Sequence, residues 1–448
     1  MYGILHTSLK ISGVWCGAKN TMTLSNRLHQ RFLLVVMAYA AIGIVMGIYT
    51  HSKRFQVVIE LVCLSISNLV INLKLYVFIF RSEDFHYVLQ GVRTHFFVHD
   101  RQLTLENKTI ITDILNKVRN LLMVYVSIMT YSSGTFIFIT PFVNIYLEKN
   151  KSFMNNTETD ETPLRILPIQ LWLPFDINES PAYELGFLII LITAVVLCIA
   201  FTAAEATIIS LMVYIIGHYD VFCDSLRNAT RNVKTRIQQK NIMADVCEFD
   251  SSPKHSEEKK EDNIDCDKDI NEVSYNNIND NDGKNITEQI FQQEMEKYLR
   301  ECVAHHQKLL EFTEKLDQLW EFAFFFQFMT VSLLICFIGF QAMSGPLDAN
   351  LFKMLGYLVS VLFQIFIYCA FGSNLTAKSA EVFNAVYDTD WYNQNNSYKL
   401  ITKMMIMRSQ KPVFLTAGRF GALCLPLFTS MIRSSYSYLA LLRQMQDS

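Results

Sequence analysis

Residues 185–216 read Leu-Gly-Phe-Leu-Ile-Ile-Leu-Ile-Thr-Ala-Val-Val-Leu-Cys-Ile-Ala-Phe-Thr-Ala-Ala-Glu-Ala-Thr-Ile-Ile-Ser-Leu-Met-Val-Tyr-Ile-Ile, with Glu205 as the one charge. A helix needs about 20 predominantly apolar residues to cross a bilayer core of ~30 Å. This run crosses with length left for tilt or for continuation past the membrane. Six further segments meet the same criterion: 32–50, 56–80, 121–147, 319–343, 351–371 and 420–442. The segment 121–147 carries no charge at all. Around these runs the 448 residues are 51% hydrophobic and only 18% charged, where a soluble domain holds about 25% charged residues. A soluble enzyme, a nucleic-acid binder and a disordered scaffold are excluded as first readings. The chain is read as all-α, a polytopic membrane protein with seven transmembrane helices.

Orientation follows from where Lys and Arg lie. With a cytoplasmic N-terminus the inner segments 1–31, 81–119, 218–318 and 371–411 hold 29 basic residues, and the outer segments hold seven. Without the long loop 218–318, in which charge counts least, the ratio is still 15 to seven. The N-terminus is therefore expected in the cytoplasm and the C-terminus outside. Residues 1–31 lack an apolar core followed by a small-residue cleavage site, so the first span is expected to serve as its own insertion signal. The organisation expected is a cytoplasmic N-terminus (1–31), helices one to four with an outer loop at 148–184 (32–216), a cytoplasmic loop (217–318), helices five and six (319–371), a cytoplasmic segment (372–411), and a last helix with a short outer tail (412–448).

The second half of the outer loop, with Trp172, Pro174, Phe175 and Pro181, is too apolar for a solvated linker and is expected to fold back as a lid over the bundle mouth. The inner loop divides in two. Residues 245–288 hold 14 acidic and five basic residues with almost no large apolar side chain, too little to offset the entropy of ordering, and read as disordered. From Thr287 onward Phe291, Met295 and Leu299, then Leu309, Phe312, Leu316 and Leu319, repeat at helical spacing into the fifth span. That makes a helix of over fifty residues. His305 and His306 lie on it; Leu309 and Leu310 occupy the positions where metal-ligand partners would be needed, so packing or solvated histidines are expected and no metal site. The ten cysteines are never closer than 19 residues, without a C-x-x-C, and no structural disulfide is expected.

Charges within spans are functional candidates because their burial is costly. Glu60 lies near the outer end of the second span, Lys74 close enough to the inner face to snorkel, and Glu205 deep in the fourth, where a structural pairing and a part in gating are both open. The third span clusters Tyr125, Tyr131, Ser132, Ser133, Gly134 and Thr135. Such residues either permit close helix packing or wall a pocket, with Gly134 leaving room and Tyr131 and Phe138 stacking on a guest. The last span sets Ser430, Ser434, Ser437 and Leu441 on one stripe, with Leu439 and Leu442 beside it. This fits either a water-lined pore ending in an aliphatic constriction or a packing helix with a seam of small residues.

Several stretches resemble the insect odorant receptor family: His-His-Gln-Lys-Leu-Leu-Glu-Phe at 305–312, Ala-Val-Tyr-Asp-Thr-Asp-Trp-Tyr at 385–392, Gln-Lys-Pro at 410–412 and Ser-Ser-Tyr-Ser-Tyr-Leu-Ala-Leu-Leu-Arg-Gln at 434–444, together with Trp-Leu-Pro-Phe-Asp at 172–176. The final helix does not resemble that of the shared co-receptor, which points to a ligand-tuning subunit. The resemblance implies seven helices with the same inverted orientation. It implies a ligand-gated, non-selective cation channel, a heterotetramer with the co-receptor in the plasma membrane of olfactory sensory neurons, and no cofactor. The seventh helices line the pore and the inner segments form an anchor between subunits. Carried over, Tyr436 and Leu439 face the pore together with Ser437, with Leu439 at the gate and Leu442 or Arg443 at a second gate position. Pocket residues vary among members; depth and facing select Tyr131, Gly134, Phe138, Phe187, Leu191 and Tyr357. The guest is a small volatile, bound mainly by apolar burial; the other partners are the co-receptor and membrane lipid, with no nucleic acid.

Rival classes fit less well. A G-protein-coupled receptor would reverse the charge bias and show Asp-Arg-Tyr after the third span. A gustatory receptor of the same fold would end in a Thr-Tyr motif. No H-E-x-x-H, G-x-S-x-G or P-loop points to an enzyme, and no internal repeat to a transporter. The topology predicts that the sequons at Asn155 and Asn178 carry glycans, whereas those at Asn107, Asn228, Asn285 and Asn395 stay bare. Glycosidase-sensitive mass lost only on Asn155→Gln and Asn178→Gln would bear this out; a glycan on Asn228 or Asn395 would invert the topology.

Overall fold

The computed structural model describes residues 24–94, single positions and short stretches between 109 and 128, residues 167, 169–175, 181–250 and 280–344, and residues 349–447. Among these the regular structure is helical, with two 3-10 turns and one isolated bridge between Thr416 and Ala422. The helices are α1 (Leu24–Thr50), α2 (Phe55–Phe80), α3 (Ser82–Thr94), α4 (Ala182–Arg227), α5 (Ala229–Asp250), α6 (Asp280–Ser344), α7 (Ala349–Tyr387), α8 (Asn396–Ser409) and α9 (Leu425–Asp447). Among the described residues α1, α2, α4, α6 and α7 are long and apolar enough to cross a membrane. Of the predicted third span, residues 123–128 are helical and most of the rest lies outside the described residues.

Pro181 opens α4. A helix start leaves its first N–H groups unused, so the missing donor costs nothing there, and the Pro181 carbonyl accepts from Leu185 N–H at 3.1 Å. With no proline inside it, α4 runs on for 46 residues, more than twice a bilayer crossing. The helix expected from Thr287 begins seven residues earlier and extends over 65. The predicted disordered stretch 245–288 is therefore helical at both ends, 245–250 within α5 and 280–288 within α6; its middle lies outside the described residues. Extending an existing helix costs far less than starting one.

The chain forms two compact units. The first holds residues up to 219, 308–379 and 412–448. Its outward surface on the spanning helices is apolar: Val35, Ile42, Ile192, Ile199, Phe352 and Val359 are all exposed, as a hydrocarbon solvent requires. Inside, Phe78 packs against Phe85 and Trp320 at centroid distances of 4.7 and 4.9 Å. Residues 167 and 169–175 pack on the helices rather than forming a solvated linker: Leu167, Leu171 and Leu173 are buried with Ile44 of α1, Leu61 of α2 and Ile190 of α4. Trp172 N–H donates to the Gly43 carbonyl at 3.1 Å. Gly43 and Gly47 make that approach feasible, since a Cβ on either would stand 2.9 Å from a loop atom.

The second unit holds 220–307 and 380–411 and is joined by polar contacts. Arg227 pairs with Glu381 at 2.9 Å and Asp388 at 3.6 Å. Thr230 donates to Asp390 at 3.0 Å. The Tyr298 hydroxyl donates to the Ser225 carbonyl and accepts from Asn232, both at 3.0 Å. Asp388 and Asp390 belong to the 385–392 motif, whose acidic residues are thus tied to α4 and α5. Two of the sequons expected to stay bare are engaged as well: Asn395 caps α8 by accepting from Tyr398 N–H at 2.8 Å, and Asn228 donates to Asp224. His306 is stacked on Phe222, and burial pushes its imidazole down to about 4, with Arg408 acting in the same direction, so the ring is neutral near pH 7. Both histidines pack against Phe222, and no group of metal-ligating residues occurs among those described.

Within the first unit three spanning helices are clamped by one polar cluster. Lys74 of α2 reaches Glu205 of α4 at 2.6 Å, both side chains fully buried, and the Tyr368 hydroxyl of α7 donates to the second Glu205 oxygen. The Lys74 ammonium also lies 5.1 Å from the Tyr368 ring centre and 5.8 Å from that of Phe201. Lys74 does not snorkel: a carboxylate partner within reach makes burial feasible, because attraction in a medium of low polarity offsets much of the lost hydration. Removing one partner leaves the other charge uncompensated, at a cost of about 3–5 kcal/mol. Lys74→Met is therefore expected to lower the melting temperature of the purified full-length chain sharply, and Lys74→Met with Glu205→Leu to restore much of the loss. Equal losses in single and double variants would show that the pair does not act as a pair.

Candidate functional site

A cavity of about 240 Å³ lies in the first unit between α2, α4, α6 and α7, with Ile169 of the outer-loop segment on its wall. The lower end of ligand pockets is roughly 300 Å³, so this is room for a small guest. Its lining is mostly apolar: Leu64, Val70 and Ile71 from α2, Ala194, Leu197 and Phe201 from α4, and Val361 from α7. Polar groups enter at a few points only, chiefly Ser67, Thr202, Gln327, Thr330, Tyr357 and Gln364. Tyr357 donates to Ser67 Oγ at 2.6 Å, and the Ser67 hydroxyl donates to the Cys63 carbonyl at 2.9 Å. Gln327 of α6 donates to Gln364 of α7 at 3.3 Å.

The cavity and the buried ion pair share their helices. Val70 and Ile71, Phe201 and Thr202, and Gln364 line the space. One turn further along the same three helices come Lys74, Glu205 and Tyr368. The three walls are thus pinned to one another just beyond the cavity, and their spacing does not depend on a guest. A second ion pair, Lys353 to Glu60 at 2.5 Å, joins α7 to α2 on the other side. Glu60 is therefore a paired group and not only an interfacial one.

Of the six residues selected from the sequence for the pocket, Tyr357 lines this cavity. Phe187 and Leu191 do not: Phe187 packs against the cluster of Leu171, Leu173 and Ile190 where the loop segment covers α4. Tyr131, Gly134 and Phe138 lie outside the described residues. Sequence reading missed Ser67, Thr202, Gln327 and Gln364. The signal available was that each is one of the few polar residues set within an apolar run, where a polar side chain marks a helix face turned from lipid.

The last helix has two distinct faces. Met431, Ser435 and Leu439 turn into the protomer. Leu439 sits on Gly339 of α6, where an added Cβ would stand 2.8 Å from its Cδ2, and Cys336 lies 3.9 Å from the Ser435 carbonyl. Ser430, Ser434, Ser437, Tyr436 and Leu441 are exposed. Leu439 is thus half-buried on the face opposite the hydroxyl stripe, while the side chain of Leu442 lies outside the described residues. The start of α9 is held from two sides: Leu425 N–H donates to Ser373 of α7, and the turn before it is anchored by Asp317 of α6, which accepts from Thr416 N–H at 2.6 Å and from its hydroxyl at 3.0 Å.

Comparison with known proteins gives these features a family. A family model described as 7tm odorant receptor matches residues 54–436. Odorant receptor 67c of Drosophila melanogaster is 31% identical over 147 residues, 33% of this chain and 36% of that protein. Odorant receptor 83a of the same species is 21% identical over 288 residues, 63% of this chain and 61% of that protein. The chain thus spans just over a third of the length of curated relatives such as odorant receptor 67c. A structure of the olfactory receptor OR5 of Machilis hrabei aligns with a TM-score of 0.73, and one of its complex with eugenol with 0.71. Both cover 99% of this chain and 97% of that one at 13% identity, a likeness of fold. The chain belongs to the 7tm odorant receptor family, multi-pass membrane receptors of olfaction rather than enzymes.

Proposed function

We propose that this chain is the odorant-tuning subunit of a ligand-gated, non-selective cation channel in the plasma membrane of olfactory sensory neurons. In this reading seven helices cross the bilayer, the N-terminus is cytoplasmic, the C-terminus is outside, and the shared co-receptor completes a heterotetramer. The cytoplasmic segment 372–411 helps anchor the subunits, and a small volatile binds in the cavity between α2, α4, α6 and α7. Odorant receptor membership, the basic-residue bias and the mostly apolar cavity support it.

The observation that carries the channel reading is the exposed face of α9. The spanning helices α1, α4 and α7 turn mainly aliphatic and aromatic residues outward, whereas α9 exposes the stripe Ser430, Ser434 and Ser437 beside Ile432, Tyr436, Tyr438 and Leu441. A hydroxyl stripe gains nothing from lipid; it suits water in a pore, and Leu441 on the same stripe suits a hydrophobic constriction. We place the constriction at Leu441 rather than Leu439, because Leu439 is held against Gly339 within the protomer. Tyr436 and Ser437 stay on the proposed pore side.

The cavity and the pore share two helices. Gln327 and Thr330 of α6 line the cavity, and Cys336 and Gly339 further along α6 touch α9. Gln364 of α7 lines it, and Ser373 of α7 holds the first turn of α9. A guest that fits better when α6 and α7 occupy their open-state positions would favour opening by that difference in affinity alone. Co-expressed with the co-receptor, Leu441→Ala is expected to raise ligand-independent current at unchanged surface expression. Leu439→Ala is expected to weaken the evoked current through lost packing. Raised leak in Leu439→Ala alone would return the gate to Leu439.

A further inference from the structure

Gln327 and Gln364 are 4% and 2% exposed and both line the cavity. They are joined by a single N–H···O bond of 3.3 Å. That leaves Gln327 Oε1 and Gln364 Nε2 without a partner among the described residues. Two facing carboxamides joined once always leave one carbonyl and one amino group over, whichever way each amide is turned. A buried acceptor and a buried donor are therefore left over from one residue pair, in a wall that is otherwise largely aliphatic and aromatic. Three of the hydroxyls nearby are already engaged: Tyr357 donates to Ser67, Ser67 to the Cys63 carbonyl, and Ser360 to the Gly356 carbonyl.

Resting on the reading of this cavity as the odorant site, we propose that the Gln327–Gln364 pair selects small alcohols and phenols. A hydroxyl is the smallest group that donates and accepts at one atom, so its proton goes to the free carbonyl and its lone pair takes the free amino group. A methyl ether accepts without donating, and a hydrocarbon does neither, so each leaves a buried polar group unpaired. A carboxylate would be disfavoured, because Lys74, the cation one turn beyond the cavity, is already paired with Glu205. The apolar remainder, with Leu64, Val70, Leu197, Phe201 and Val361, takes up the hydrocarbon part of the guest.

The test uses the purified full-length chain in lipid nanodiscs, with affinity read from ligand-dependent melting temperature. The probes are octanol, benzyl alcohol and phenol, each beside its methyl ether and its parent hydrocarbon. The hydroxyl compounds are expected to bind at least about ten-fold tighter than their ethers, the worth of one good hydrogen bond. In the double variant Gln327→Leu with Gln364→Leu the difference should fall to about two-fold or less. That variant removes both partners together, so the fold is expected to survive. Equal binding of alcohol, ether and hydrocarbon overturns the proposal, as does binding by no hydroxyl probe or a preference that outlives the double variant. Ser360→Phe, which fills the cavity, separates this from failure of the site itself. Lost binding of ethers and hydrocarbons alike in Ser360→Phe, with no hydroxyl preference beforehand, keeps the cavity and discards the class. A hydroxyl preference untouched by Ser360→Phe discards both.

Discussion

A lysine and a glutamate fully buried in an apolar bundle have few ways to coexist with it, and Lys74 and Glu205 take the one that leaves neither alone. Their contact fixes α2 against α4, and the Tyr368 hydroxyl brings in α7. Hydrophobic attraction cannot do this for membrane helices, because lipid tails are as apolar as the side chains they would leave. Polar contacts and close packing must set the positions instead. The Lys353–Glu60 pair, the Gln327–Gln364 bond and the Tyr357–Ser67 bond follow the same logic at other depths. The cavity is the space these contacts hold open. Its walls are set by bonds made on either side of it, so a guest meets a site already formed and loses little affinity to ordering.

The same economy explains why α6 and α7 matter beyond the cavity. Each lines the space at one level and grips α9 at another, through Gly339 and Cys336 on α6 and Ser373 on α7. Asp317 adds a further hold on the turn that leads into α9. Side chains packed this closely do not deform smoothly. A displacement of either helix is therefore expected to reach α9 as a whole-helix shift. In the proposed channel that shift is the gating step.

Much of the fold was legible in the sequence. The long apolar runs around 185–216, 319–343 and 351–371 announce spanning helices, because no other backbone arrangement satisfies its own polar groups in lipid apart from a closed barrel. The apolar stretch Trp172–Phe175 announced a packed segment in place of a solvated linker, and Leu171 and Leu173 are buried against α1, α2 and α4. The site was harder to read. Lys74 looked like a snorkelling residue, since a lone basic residue near a span end is usually that, and its partner is 131 positions away in α4. Leu439 was assigned to the gate by resemblance alone, and one sequence cannot say which face of the last helix meets Gly339. Gln327 and Gln364 each passed as an isolated polar residue; only their meeting across α6 and α7 makes them a pair.

The central claim is that the hydroxyl face of α9 meets water in a conducting pore. Cysteine accessibility along α9 tests it most directly, with Ser437→Cys, Leu441→Cys, Met431→Cys and Leu439→Cys each compared with the parent chain during odorant application. A charged, membrane-impermeant thiol reagent should cut the evoked current through Ser437→Cys and Leu441→Cys and leave Met431→Cys and Leu439→Cys close to the parent. Block at Met431→Cys and Leu439→Cys with none at Ser437→Cys and Leu441→Cys would contradict the account, because the face packed on α6 would then be the one that faces the ions.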